Sequence, residues 1–116
     1  MARYVDGFVL PVPKKKVEAY RRMAQRAGKV WVEHGALEFH ECAGDDLGAS
    51  FRKVARAKPS ETVFFSWIVY KSRADRDRVN AKVMKDPRIV KEMEAQSMPF
   101  DVKRMVMGGF KSVVDL

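Results

Sequence analysis

Thr62-Val63-Phe64-Phe65-Ser66-Trp67-Ile68-Val69-Tyr70 is a run of β-branched and aromatic side chains broken only by Ser66, the composition of a strand. A period of two sends Val63, Phe65, Trp67 and Val69 to one side and Phe64, Ser66, Ile68 and Tyr70 to the other. Both sides are apolar, so both need cover.

The flanking segments say what provides it. Downstream, Ser72-Arg73-Ala74-Asp75 is a capping-box pattern that opens a helix running through Met84. Asp86-Pro87 then supplies a fresh N-cap with proline at the first helical position, turning Ile89, Val90 and Met93 inward. Val102 to Phe110 reads as the last strand, cut by Gly108-Gly109. Upstream, Gly44 to Ser60 is a long connection with a short helical pattern at Phe51, Val54 and Ala55, where Phe51 is expected to pack down. Leu37 to Cys42 alternates Leu37, Phe39 and Glu41 against Glu38, His40 and Cys42. Before it, Val17, Tyr20, Ala24, Ala27, Trp31 and His34 fall at spacings of three and four, drawing one buried helical stripe broadened by Met23 and Val30. Gly35 suits the left-handed residue that ends such a helix. Val5 to Leu10 is the first strand, bounded by Pro11 and Pro13.

The order is β-α-β-β-α-β, the split βαβ motif of an α+β, ferredoxin-like sandwich. Such a sheet carries both helices on one face and leaves the other bare. A second copy of the chain is the simplest cover, giving a homodimer. With 116 residues the chain fits a single domain over residues 1–116.

Composition excludes several classes. Apolar residues are 47% and charged residues 33%, as in a globular protein. The lone Cys42 excludes an internal disulfide. The opening strand-like run is too short and charged for a signal peptide, and no stretch reaches membrane-spanning length; a cytoplasmic location is the expectation. The net charge of +8 invites a nucleic-acid reading. Residues 1–34 hold eight Lys/Arg against three acids, a surplus of five, mostly on one helix through Lys15, Arg22, Arg26 and Lys29. A solvated helix face accounts for that surplus as well as a partner does, and the sequence favours it. RNA-recognition domains share the element order, but Glu61-Thr62-Val63-Phe64 begins with an acid and lacks the glycine of their third strand.

Four segments carry a resemblance. They are Tyr4-Val5-Asp6-Gly7-Phe8 with Pro11-Val12-Pro13-Lys14-Lys15; Gly28-Lys29-Val30-Trp31 with Glu33-His34-Gly35-Ala36-Leu37; Phe65 through Arg73; and Met98-Pro99-Phe100-Asp101 with Lys103-Arg104-Met105 and Gly108-Gly109-Phe110. Together the chain resembles the DUF1428, or YbaA-like, family of small bacterial proteins. The resemblance implies a dimeric α/β barrel and no particular activity. Residues 44–60 match least.

Chemistry-bearing residues are sparse. Glu38, His40 and Cys42 share one strand face but make a poor metal set, so no metal and no cofactor is expected. No nucleophile-elbow pattern surrounds Ser66 or Ser97, and Gly108-Gly109 opens no helix as a phosphate loop would. A pocket remains. His34 ends the apolar stripe, Asn80 stands beside Val79 and Val83, and Asp6 interrupts an apolar strand. Buried polar groups need partners, so these three read as one polar cluster, either an internal network or ligand contacts. Trp67, Phe65 and Phe100 could wall it. The expected function is therefore a homodimeric small-molecule-binding protein, or a cofactor-free enzyme of monooxygenase type by fold analogy. A basic nucleic-acid-associated protein and an interaction module without ligand are the alternatives.

Overall fold

The computed structural model describes residues 2–94 and 98–116, so Ser97 lies outside the described residues. Strand β1 (Tyr4–Pro13) leads through a 3-10 turn into helix α1 (Val17–Glu33). Strand β2 (Glu38–Ala43), helix α2 (Ala49–Ala55) and strand β3 (Glu61–Tyr70) follow. Helices α3 (Arg73–Lys85) and α4 (Pro87–Glu94), a 3-10 turn (Val102–Arg104) and strand β4 (Val106–Lys111) complete the chain. The sheet order is β2-β3-β1-β4 with every pair antiparallel, a ferredoxin-like α+β arrangement.

Register fixes the two faces. Asp6 pairs with Ile68, Phe8 with Ser66 and Leu10 with Phe64 on the helix side; Val5, Gly7 and Val9 face outward opposite Val69, Trp67 and Phe65. The helix side buries two apolar clusters. One gathers Val30, Ile68, Tyr70, Val79, Val83 and Ile89; the other gathers Leu10, Val12, Tyr20, Ala24 and Phe64. Gly28 lets α1 lie directly on β2, since a Cβ there would stand 2.6 Å from the Phe39 ring. Gly35 adopts φ of +121° just beyond the helix, the conformation that ends it.

The outer side is partly covered. Helix α2 folds over one end: Ala55 and Val63 are buried, and the Phe51 ring meets Phe65 edge-on at 6.3 Å. Elsewhere Phe65, Val106 and Phe110 are exposed, with Val9 and Trp67 beside them, along a groove of about 440 Å³.

Three expectations need correction. The first strand does not stop at Pro11, because β4 pairs only as far as Val9. Beyond that point β1 is an edge on that side. Lys14 donates its amide to Ser60 across the opposite side, so by alternation the nitrogens of Pro11 and Pro13 face the open edge, where no donor is needed. The last strand does not begin at Val102: Asp101 accepts the Lys103 amide at 3.1 Å and closes a 3-10 turn first. The connection 44–60, by contrast, holds the short helix expected around Phe51, Val54 and Ala55, with Phe51 packed on Phe65. On α4 only Ile89 is buried; Val90 and Met93 face solvent.

One buried ion pair ties the 3-10 turn to β3. Arg104 grips Glu61 bidentately, at 2.7 and 2.8 Å, and the Lys58 amide donates to the same carboxylate at 2.8 Å. The Arg104 guanidinium, ahead of the Lys58 amide, holds the Glu61 carboxyl down at about 2. A depressed carboxyl stabilises the fold above its unfolded value and loses that contribution as pH falls toward the folded value. Between pH 5 and pH 2 the protein should therefore lose about 1–3 kcal/mol of stability that a Glu61→Gln variant does not lose. Urea titrations at several pH values measure this; parallel curves for the two proteins would refute the assignment.

Candidate functional site

Between α1, α3 and the sheet lies a cavity of about 400 Å³, lined almost wholly by apolar atoms. The expected helical stripe builds one wall: Tyr20, Ala24, Ala27 and Trp31 of α1 all face it, with Met23. Phe8, Phe39 and Ile68 form the sheet floor. Met84, Phe100, Met105 and Met107 close the remaining sides.

Two polar groups punctuate this lining. The first is centred on Asp6, which is 6% exposed. Ser72 caps α3 by accepting the Asp75 amide at 3.1 Å, and the helix then carries Arg76 and Asn80 one turn apart, over β1. Trp31 Nε1 donates to Asn80 Oδ1 at 3.0 Å and the Tyr70 hydroxyl donates to the same oxygen at 3.2 Å. Two donors on one oxygen fix the amide's orientation, leaving Nδ2 for Asp6. Arg76 Nε stands 3.5 Å from Asp6 Oδ1, while its Nη2 donates to the Tyr4 hydroxyl at 3.1 Å. The Nε is buried without a hydrogen-bond acceptor, so its interaction with Asp6 is Coulombic at long range for a bond. Burial raises the Asp6 carboxyl above its usual range, opposed first by Arg76 and then by Tyr70 and Asn80. Burial, and next the Asp6 charge, push the Tyr70 hydroxyl upward too.

The second group is Glu41. It accepts the Tyr20 hydroxyl at 2.9 Å. Burial raises its carboxyl, with the Tyr20 and Ser66 hydroxyls opposing. Asp6 sits opposite Ile68 and Glu41 opposite Ser66, two strands apart and two residues offset. With strands about 4.8 Å apart and about 3.4 Å per residue, their Cα atoms are separated by roughly 12 Å. The cavity thus has two acidic poles and an apolar middle.

Of the residues singled out by sequence, Asp6, Asn80 and Phe100 come together on this cavity. His34 does not join them. It is the cap residue of α1, and its Nε2 lies 2.9 Å from Asp86 Oδ2 instead. Asp86 also accepts the Arg88 amide at the start of α4, and Arg88 first, then His34, hold its carboxyl low. The stripe spacing extended one residue past the helix end, where the side chain leaves the wall. Trp67 and Phe65 line the outer groove on the far side of the sheet, Trp67 stacked on His40 at 4.7 Å. Their parity along β3 dictates this. Glu38 and His40 bond each other at 2.9 Å and Cys42 is exposed; among the described residues no cluster of three such groups could hold a metal. Glu41, Tyr20, Tyr70 and Trp31 were missed as polar contributors. A signal existed for Glu41: alternation places it beside Phe39 on the buried side of its strand.

Residues 3–102 match the family described as a protein of unknown function, DUF1428. The chain is 48% identical over 117 residues to the uncharacterized protein YbaA of Escherichia coli K12, covering 97% of this chain and 98% of that protein. Among solved structures, a dimeric ferredoxin-like protein from an uncultured marine organism aligns with a TM-score of 0.65 at 13% identity, covering both chains fully. A Nitrosomonas europaea protein proposed as an antibiotic biosynthesis monooxygenase aligns with a TM-score of 0.62 at 14% identity, covering 96% and 90%. At such identities the likeness is one of fold.

Asn80 is the hub of the first pole, so its loss should be felt. Asn80→Leu leaves the Trp31 N–H and the Tyr70 hydroxyl without their acceptor and should cost about 2–4 kcal/mol in urea unfolding. A cost under about 0.5 kcal/mol, ordinary for a surface change, would mean that solvent already satisfies these donors.

Proposed function

We propose that this chain, which belongs to the DUF1428 family, is a homodimeric protein that binds a small, largely apolar molecule between its helices and its sheet. The observation that carries the reading is the cavity of about 400 Å³ with acidic groups at two points of an apolar wall. That size and lining match a site for a small organic molecule. The fold likeness to the Nitrosomonas protein extends the reading to cofactor-free chemistry on the bound molecule. Asp6 is then the proton acceptor, since a carboxyl raised by burial is a stronger base than an ordinary one.

Homodimerisation is supported by the outer groove, where Phe65, Val106 and Phe110 present an apolar strip, and by the dimeric neighbour. Among the described residues no helix is long and apolar enough to cross a membrane. Nucleic-acid binding ranks below small-molecule binding: Arg26 pairs with Glu92 at 2.6 Å and Arg22 reaches Glu18 at 3.5 Å, so part of the basic helix face is already neutralised. An interaction module without ligand would leave the cavity without a role.

Methyl-labelled methionine makes the cavity observable. Indole at millimolar concentration should shift the Met23, Met84, Met105 and Met107 methyl signals and spare Met93, and Ala27→Phe, which fills the cavity, should abolish the shifts with folding intact. Unmoved cavity methyls across a panel of such small aromatics would overturn the binding reading. Separately, light scattering at micromolar concentration should return twice the 13.3 kDa chain mass, and Val106→Lys should halve it. A monodisperse wild-type monomer would remove the dimer.

A further inference from the structure

The chain carries 23 lysines and arginines, yet none of them, and neither histidine, lines the cavity, which is walled by two carboxylates. The two are in different situations. Asp6 has the Arg76 guanidinium 3.5 Å away, with Asn80 and Tyr70 facing it. Among the described residues Glu41 forms no ion pair: the Tyr20 hydroxyl donates to it at 2.9 Å and Ser66 faces it, while Arg21 and Lys29 line the neighbouring groove that Glu41 also borders. Around it stand aromatic rings. Tyr20, Phe39 and Phe100 share the cavity lining with it, Phe100 edge-on to Tyr20 at 5.5 Å and Phe39 two residues away on the same strand face. A carboxylate with no ion pair among the described residues, on an apolar and partly aromatic lining, is a composition that recognises an organic cation.

We infer that the Glu41 end of the cavity receives the ammonium group of an amine whose apolar body extends toward Asn80. The inference rests on the small-molecule reading above and adds the charge and direction of the ligand. The ammonium would give Glu41 an ion-pair partner inside the cavity, whose lining holds no basic side chain among the described residues. The Trp31, Ala27 and Ile68 surfaces would cover the body.

Three probes of matched shape separate the outcomes: 2-phenylethylamine, 2-phenylethanol and phenylacetate, titrated against the methionine methyl signals at neutral pH. The amine should bind about tenfold more tightly than the alcohol, and phenylacetate most weakly. Glu41→Gln keeps an acceptor for Tyr20 and removes a partly buried charge, so it should fold normally; in it the amine should fall to the level of the alcohol, whose own affinity stays unchanged. Equal binding of amine and alcohol by the wild-type protein, an arm that needs no variant, would overturn the inference while leaving the cavity as a binding site. So would a preference that survives Glu41→Gln but disappears in Asp6→Asn, which would move the cation to the other pole. If none of the three moves the cavity methyls, the binding reading fails and takes this inference with it.

Discussion

Strand β3 has to bury both of its faces, and the arrangement of the other elements follows from how that is done. It lies inside the sheet, between β2 and β1, so its backbone hydrogen bonds are satisfied on both edges and only the side chains need cover. The helix layer takes Phe64, Ser66, Ile68 and Tyr70, all under 6% exposed. On the other face α2 takes Val63, while Phe65 is 45% exposed and Trp67 lies partly so. One face is thus completed by the chain itself. The other is half-completed, and at about 25 cal/mol for each Å² of apolar surface removed from water its exposed strip is a standing incentive to associate.

The completed face is not filled solid. The stripe on α1 alternates large and small residues: Tyr20 and Trp31 reach the sheet, and Ala24 and Ala27 between them do not. The small pair leaves the space that the cavity occupies. Packing at ordinary interior density would fill it, and a larger residue at Ala27 would do so with one substitution. Two carboxylates on that same apolar surface add a cost in desolvation, visible in the upward displacement of both carboxyls. A void and buried acids both lower stability. Such expense is typical where a surface is shaped for something other than folding.

Sequence periodicity exposed the layers because they are set by repeats of two and of 3.6, which survive any tertiary detail. Ser72 as a cap, Gly35 as a helix end and the split order of elements all followed from local chemistry. What failed was decided by pairings that periodicity does not encode, some local and some distant in sequence. Pro11 belongs in β1 only because β4 is short. Val102 turns before its strand because Asp101 captures the Lys103 amide. His34 pairs with Asp86, 52 positions away, which no spacing rule anticipates. The Asp6–Asn80 convergence was suggested by burial logic alone, yet the Trp31 and Tyr70 donors that orient Asn80 needed coordinates. Glu41 could have been found, for the alternation of its strand already put it beside Phe39.

Charge is sorted across this molecule rather than simply accumulated. The surplus bases stand on exposed surface, as at Lys14, Lys15, Lys16 and Lys29, whereas among the described residues the charged side chains on the cavity wall are both acids. At physiological salt the Debye length is about 8 Å, so the outer positive field is largely screened beyond that distance and only modestly opposes an approaching cation. The cavity wall is almost wholly apolar, and the effective dielectric beside it is lower than in bulk water. There a single carboxylate at contact outweighs many screened charges at a distance. On the proposed binding reading, selection of a ligand by charge would be decided at Glu41 and Asp6 after entry, and the basic exterior would bear on encounter rate rather than on preference.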